Sequence, residues 1–443
     1  MRNQRVRKKW KVVATGNLLM VNIDFLYSFI LCLVFAIANF LKLGLRNKTY
    51  VLPSTFFALM WGLTSLGGFL YSNLLIGVSD YYNSAGHLQE ISSYQFTILT
   101  VVFSAFLLAR FMRREVAVKV TAKFGRLDIE SVRHKMRWIL YLFFAIGMYR
   151  LISVLSVTGW NYSVIRSYYL ASRSHFSVFD SNLLRIGGYL SQFAMFYICI
   201  LGMETALRGI RLKRLAIDFL LFIPFQMSFG GRLFILAFFA PFIISYLLTY
   251  SIAVIKNKKK KIDRKFLLIL ASPLIMLIVI QILKMDEVIS MKTIKAYSTE
   301  IFYTSSSYIH MNELWSNLPR DYSLGYGLNC IGIGSTTYNY IKEVWAFELN
   351  SAGVCVPSMI PQVFLDFGEK GSLVFFFIVF YLIEDRAMVC LKKLTTKNIL
   401  TIILLCQISY QTASSSAFDC LRAFVVGYIA LVLFVHMTPL KIV

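Results

Sequence analysis

The feature that most limits what this chain can become is a recurring one. Apolar runs of about 20 residues alternate with short basic segments, and a run of that length can cross a bilayer. Inside lipid the backbone of such a run has no water to bond, so it must form a helix. Composition agrees: 58% of residues are hydrophobic and 15% charged, where a soluble domain carries about 25% charged residues. The fold class expected is an all-α polytopic membrane protein. It has about eleven transmembrane helices and one large extracytoplasmic loop between late spans. The net charge of +24 does not point to nucleic acid. The Lys and Arg residues lie in clusters between apolar runs, where the positive-inside rule puts them.

The cluster KNKKKKIDRK (Lys256 to Lys265) sets the orientation, because so dense a basic loop belongs in the cytoplasm. Counting outward from it gives spans at Val21 to Leu41, Leu52 to Leu74, Tyr94 to Arg110, Trp138 to Val157, Ser181 to Ala206, Leu215 to Phe229 and Arg232 to Tyr250. Downstream come Phe266 to Leu283, Ser372 to Cys390, Asn398 to Tyr410 and Leu421 to His436. Residues 1–283 then form the N-terminal helices, with outer loops near 72–93 and 158–180. Residues 284–371 form the large outer loop and residues 372–443 the C-terminal helices. This count leaves the basic MRNQRVRKKWK outside, against the rule: either those residues are an exception, or there is an extra crossing, or the chain starts at Met20, the reading favoured here. The segment VPSMIPQVFLDFGEKG, Val356 to Gly371, has two prolines and three charges and makes a poor full span. A short surface helix or a re-entrant piece is expected there.

Chemistry is expected on the outer side, where polar residues accumulate. Arg232 follows Gly230 and Gly231 in a tight turn between two spans, which puts a guanidinium at the mouth of the bundle. There it either binds a diphosphate bidentately or anchors the helix at the interface. Arg166 and Arg173 are seven residues apart, two turns along one helical face. His175 and Arg185 lie nearby, and Tyr162, Tyr168 and Tyr169 interleave as sugar platforms or interfacial aromatics. Arg150 is a charge within a span, expected to face the bundle near its outer end.

In the large loop, His310 and Glu313 sit one turn apart on any helix, so a His–carboxylate couple is available as a general base. Arg320 either holds a phosphate or pairs with its neighbour Asp321. Asp366 either orients a sugar hydroxyl or marks a helix start. Glycines 325, 327, 332 and 334 lack the spacing and context of a nucleotide loop. Five of the seven cysteines lie in or beside apolar runs and read as small core residues. Cys330 and Cys355 share the outer loop, where they either form a disulfide or stay as thiols. No Cys/His spacing suggests a metal, and no cofactor is expected.

Taken together these features resemble the Wzy group of O-antigen and capsule repeat-unit polymerases. The likeness rests on Pro53 and Trp61 in the second span, the Arg-bearing loop at Arg166 and Arg173, the GGR turn at Arg232 and the late outer loop. That loop ends in a PQ-x-F-x-DFG-x-x-G pattern at Pro361, Gln362, Phe364, Asp366, Phe367, Gly368 and Gly371. The resemblance implies a glycosyltransferase of the bacterial inner membrane. It would move a growing glycan en bloc from undecaprenyl diphosphate to a new lipid-linked repeat unit. His310, Glu313 and Arg232 would be catalytic, and Arg166, Arg173, Arg320 and Asp366 would bind diphosphate and sugar. The implied partners are the lipid-linked oligosaccharide, membrane lipids, a chain-length regulator and a flippase. An O-antigen ligase uses the same donor and is the alternative nearest in chemistry; a lipid-linked oligosaccharide flippase is the alternative from another class. The absence of an internal repeat argues against a transporter.

Overall fold

In the computed structural model, the described residues are 23–39, 53–74, 129–165, 168, 178–209, 211–228, 233–256, 269, 326, 359–392, 396–411 and 417–436. Among them every regular element is helical. In chain order they are α1 (Ile23–Asn39), α2 (Pro53–Leu74), α3 (Ile129–Val157), α4 (Val178–Arg208) and α5 (Leu212–Leu220). They continue with α6 (Ile223–Met227), α7 (Leu233–Lys256), α8 (Met359–Lys392), α9 (Thr396–Gln411) and α10 (Ala417–Leu431). A three-residue 3₁₀ turn, Tyr162–Val164, follows α3, and a π turn, Val432–His436, follows α10.

Among the described residues, two stretches are long and apolar enough to cross a membrane: Val132–Val157 in α3 and Asn182–Arg208 in α4. The second is the hub of the bundle, packed against α3, α7, α9 and α10. Its fit with α7 depends on Gly202. A Cβ there would overlap Ser245 Oγ and come within 2.7 Å of the Phe242 carbonyl oxygen. The missing side chain therefore lets two backbones approach closely, as small residues do at helix interfaces in membranes. Polar residues inside the bundle turn back on their own helices. Thr205 Oγ1 donates to the Leu201 carbonyl at 2.7 Å, and Ser245 Oγ to that of Phe242 at 2.9 Å. Such bonds satisfy hydroxyls without water.

The span expected at Leu215 to Phe229 is two short helices instead. α5 ends at Leu220, the Phe222 N–H closes a tight turn onto the Phe219 carbonyl at 3.0 Å, and α6 restarts with Pro224 in its first turn. Proline has no N–H to continue the ladder but suits the start of a helix. The two pieces still climb together. Arg214 of α5 lies beside Glu204, while Phe225 of α6 fits against Gly147 and Gly187, about 20 Å further along α3 and α4.

α3 starts nine residues before the expected Trp138, and the added turns carry Arg133 and Arg137. Both find carboxylate partners, which makes charge tolerable inside the helix. α7 likewise runs on to Lys256, past the expected Tyr250. The expected spans Tyr94 to Arg110 and Phe266 to Leu283 lie outside the described residues, apart from Ile269.

Candidate functional site

The FLDFGEKG stretch forms a sharp reversal inside α8. Gly368 has φ 66° and ψ −174°, a backbone state reached almost only by glycine. It separates a short helix that begins at Met359 from the long apolar helix that follows. Ser372 closes the reversal, with its hydroxyl donating to the carbonyls of Gly368 at 2.5 Å and Val363 at 3.1 Å. Phe367 stacks on Phe375 with ring centroids 5.1 Å apart. Gly371 lies close beneath Phe367, whose Cβ would be 2.9 Å from any Cβ added there. The spacing DFG-x-x-G thus has a local meaning: one glycine makes the turn, and the second makes room for the ring.

Asp366 is fully buried at this reversal. Its backbone carbonyl accepts a hydrogen bond from the Tyr326 N–H at 2.9 Å. Tyr326 has φ 47° and its side chain is exposed. A point in the large polar interval is therefore tied by main chain to the DFG turn. Of the residues nominated as catalytic or substrate-binding in the resemblance, Asp366 is the one that lies among the described residues. Arg166, Arg173, Arg232, His310, Glu313, Arg320, Cys330 and Cys355 lie outside the described residues.

Other nominated residues are visible around the bundle. Arg150 is 4% exposed on α3, so it faces inward as a charge in a span should. Tyr162 packs against Phe239 of α7, which gives this tyrosine a packing contact. Cys32, Cys199, Cys390, Cys406 and Cys420 are all buried.

Sequence reasoning passed over three features. Arg422 of α10 brings its guanidinium against α4 at Gly188. Glu384, fully buried in α8, accepts from the Ser54 N–H at the start of α2. Third is an ionic cluster where α3, α4 and α5 meet. Glu204 holds Arg133 at 3.1 Å on one oxygen, and Arg208 at 3.5 Å and Arg214 at 3.7 Å on the other. Arg137 lies 3.7 Å from Asp218, with Tyr197 beside both. One signal could have found all three: acids and arginines within apolar runs, which are costly unless used or paired. No protein-family model, curated protein or solved structure matches this chain.

Proposed function

We propose that this chain is a multi-pass protein of the bacterial cytoplasmic membrane. In this reading it polymerises undecaprenyl-diphosphate-linked oligosaccharide repeat units on the outer face, with about eleven spans. Several surfaces support the membrane part. α3 exposes Trp138, Tyr141, Leu142, Tyr149 and Ile152 in a stripe, while Phe143 and Leu140 bury the opposite side. α8 does the same, with Val374, Ile378 and Leu382 outward and Phe376 and Phe380 inward. A helix apolar on every face suits lipid better than water. Exposed Trp138 lies in the first part of α3 and exposed Trp160 just past its end. The helix between them is about 30 Å long, near the hydrocarbon thickness of a bilayer.

The observation that carries the enzymatic part is the reversal at Gly368, which buries Asp366 and joins it to the Tyr326 segment. In this reading the segment that carries the PQ-x-F-x-DFG-x-x-G pattern is the re-entrant piece at the end of the large polar interval. Backbone of this kind is tolerated at membrane depth where it borders protein or a cavity.

The chemistry follows from the donor. The bond from the anomeric carbon to the diphosphate oxygen breaks, and a bond from that carbon to the acceptor hydroxyl oxygen forms. The acceptor proton passes to His310, backed by Glu313. Undecaprenyl diphosphate departs with its charge met by Arg232, Arg173 and Arg166. Arg320 and Asp366 hold phosphate and sugar.

Chromosomal deletion and complementation test this reading. Wild type should restore long glycan chains, while Arg232→Ala and Arg173→Ala should leave single repeat units on the lipid carrier. Normal chain lengths from both variants, or cysteine labelling that located residues 310–320 in the cytosol, would overturn it.

A further inference from the structure

Among the described residues, two that are not glycine take a left-handed backbone, and both are aromatic. Trp160 has φ 62° and Tyr326 φ 47°, and their side chains are 68% and 78% exposed. A bulky side chain rarely adopts this state, and neither ring offsets it by burial. For Trp160 the cause is local. It closes the end of α3, with its N–H donating to the Leu155 carbonyl at 2.7 Å just after Gly159 at φ 64°.

Tyr326 ends no described helix. Its N–H donates to the Asp366 carbonyl at 2.9 Å, which fixes its backbone against the buried reversal at Gly368. In sequence it stands between Gly325 and Gly327, and a third glycine would take this φ without strain. Neither packing nor turn chemistry therefore accounts for a tyrosine, whereas backbone strain of this kind gathers where ligands are held. The position offers an exposed aromatic face on a pinned backbone, beside the turn of the candidate site. Tyr326 belongs to the large polar interval and not to an apolar run, so a sugar matches it better than an acyl chain. The negative face of the ring attracts the polarised C–H bonds on the flat side of a pyranose. We infer that Tyr326 is a sugar-binding residue whose ring stacks on a pyranose of the lipid-linked repeat unit. The inference rests on the polymerase reading and names the residue that would hold the sugar in it.

The test uses the full-length protein purified in detergent and isothermal titration calorimetry. The probe is the free repeat-unit oligosaccharide, released by mild acid from the lipid carrier of the deletion strain. Wild type should bind it. Tyr326→Gly should lose about tenfold in affinity, the upper end for an aromatic contact, and Tyr326→Phe should stay within about threefold. Tyr326→Gly should melt no lower than wild type, because glycine suits φ 47°. Loss of binding in a protein of undiminished stability is an effect that a structural role would not produce.

Unchanged affinity in Tyr326→Gly leaves the ring as an interfacial aromatic and overturns the inference, as does wild type that does not bind the oligosaccharide. A loss in Tyr326→Phe equal to that in Tyr326→Gly assigns the effect to the hydroxyl and overturns the stacking. In each of these cases the polymerase reading stands if the deletion strain accumulates single units. A deletion strain that keeps its long chains instead defeats that reading, and the inference falls with it.

Discussion

Glu384 of α8 accepts a hydrogen bond at 2.7 Å from the backbone N–H of Ser54, a residue 330 positions earlier. Ser54 is in the first turn of α2, where N–H groups have no partner within the helix and the dipole favours an anion. A carboxylate from one helix therefore caps the start of another, and both groups are fully buried.

Removing that acceptor should be costly. Glu384→Ala is expected to destabilise the protein by roughly 1–3 kcal/mol, because a buried N–H loses its partner. Glu384→Gln keeps an oxygen in place and should lose less. Thermal melting of the detergent-purified variants, followed by size-exclusion chromatography, checks the order: wild type, then Gln, then Ala.

Gly368 should resist substitution for a backbone reason. With φ 66° and ψ −174°, Gly368→Ala should cost about 1–3 kcal/mol. A substitution that keeps the helix but removes the Ser372 hydroxyl, Ser372→Ala, should cost less, since one neutral donor is lost. The same melting assay compares them, and equal melting temperatures for wild type and Gly368→Ala would contradict the strained turn.

Asp366 separates shape from chemistry. Its contact with Tyr326 is made by the main chain, so Asp366→Asn should leave that link and the membrane level of the protein intact. In the proposed reaction it should still shorten the glycan, with lipid-linked single units accumulating. Gel profiles of surface polysaccharide, beside an immunoblot for protein amount, give the answer; full-length chains would remove Asp366 from the site.

The Glu204 cluster should show the asymmetry of a buried ion pair. Glu204→Ala leaves Arg133 without its carboxylate in a buried position and is expected to cost roughly 3–5 kcal/mol. Replacing both, as Arg133→Met with Glu204→Leu, should recover most of that loss, since an apolar pair of similar volume carries no desolvation penalty. Melting of the three variants checks the cycle.

Gly202 predicts a steric cycle. Gly202→Ala drives a methyl onto Ser245 Oγ and toward the Phe242 carbonyl, at an expected cost of about 1–3 kcal/mol. Ser245→Ala in the same chain should return part of it, because the hydroxyl is removed but the carbonyl stays. Additive effects in a double-mutant cycle would contradict direct contact.

Helix positions were readable from apolar runs because a long apolar segment satisfies its backbone most simply as a helix. Ser181 to Ala206 lies inside the observed Val178–Arg208, and Asn398 to Tyr410 inside Thr396–Gln411. The break before Pro224 was missed because Leu215 to Phe229 is apolar by composition, and hydropathy does not register a missing N–H. The early start of α3 was missed because Arg133 and Arg137 read as loop charges until Glu204 and Asp218 are brought beside them. These partners are far apart in sequence, so no local pattern could pair them. The α8 reversal was partly legible, since two prolines and three charges ruled out a plain span. Its closure by Ser372 depends on tertiary geometry.

The backbone and Cβ of Phe225 sit against Gly147 of α3, and its ring fills the space that Gly187 of α4 leaves by lacking a side chain. Each notch accepts the same residue, so α6 acts as a key that locks two long rods at one register. Neither rod can slide along its axis without displacing Phe225. Any gating movement of this bundle must carry α3, α4 and α6 together as one piece, with the displacement taken up by the segments on either side.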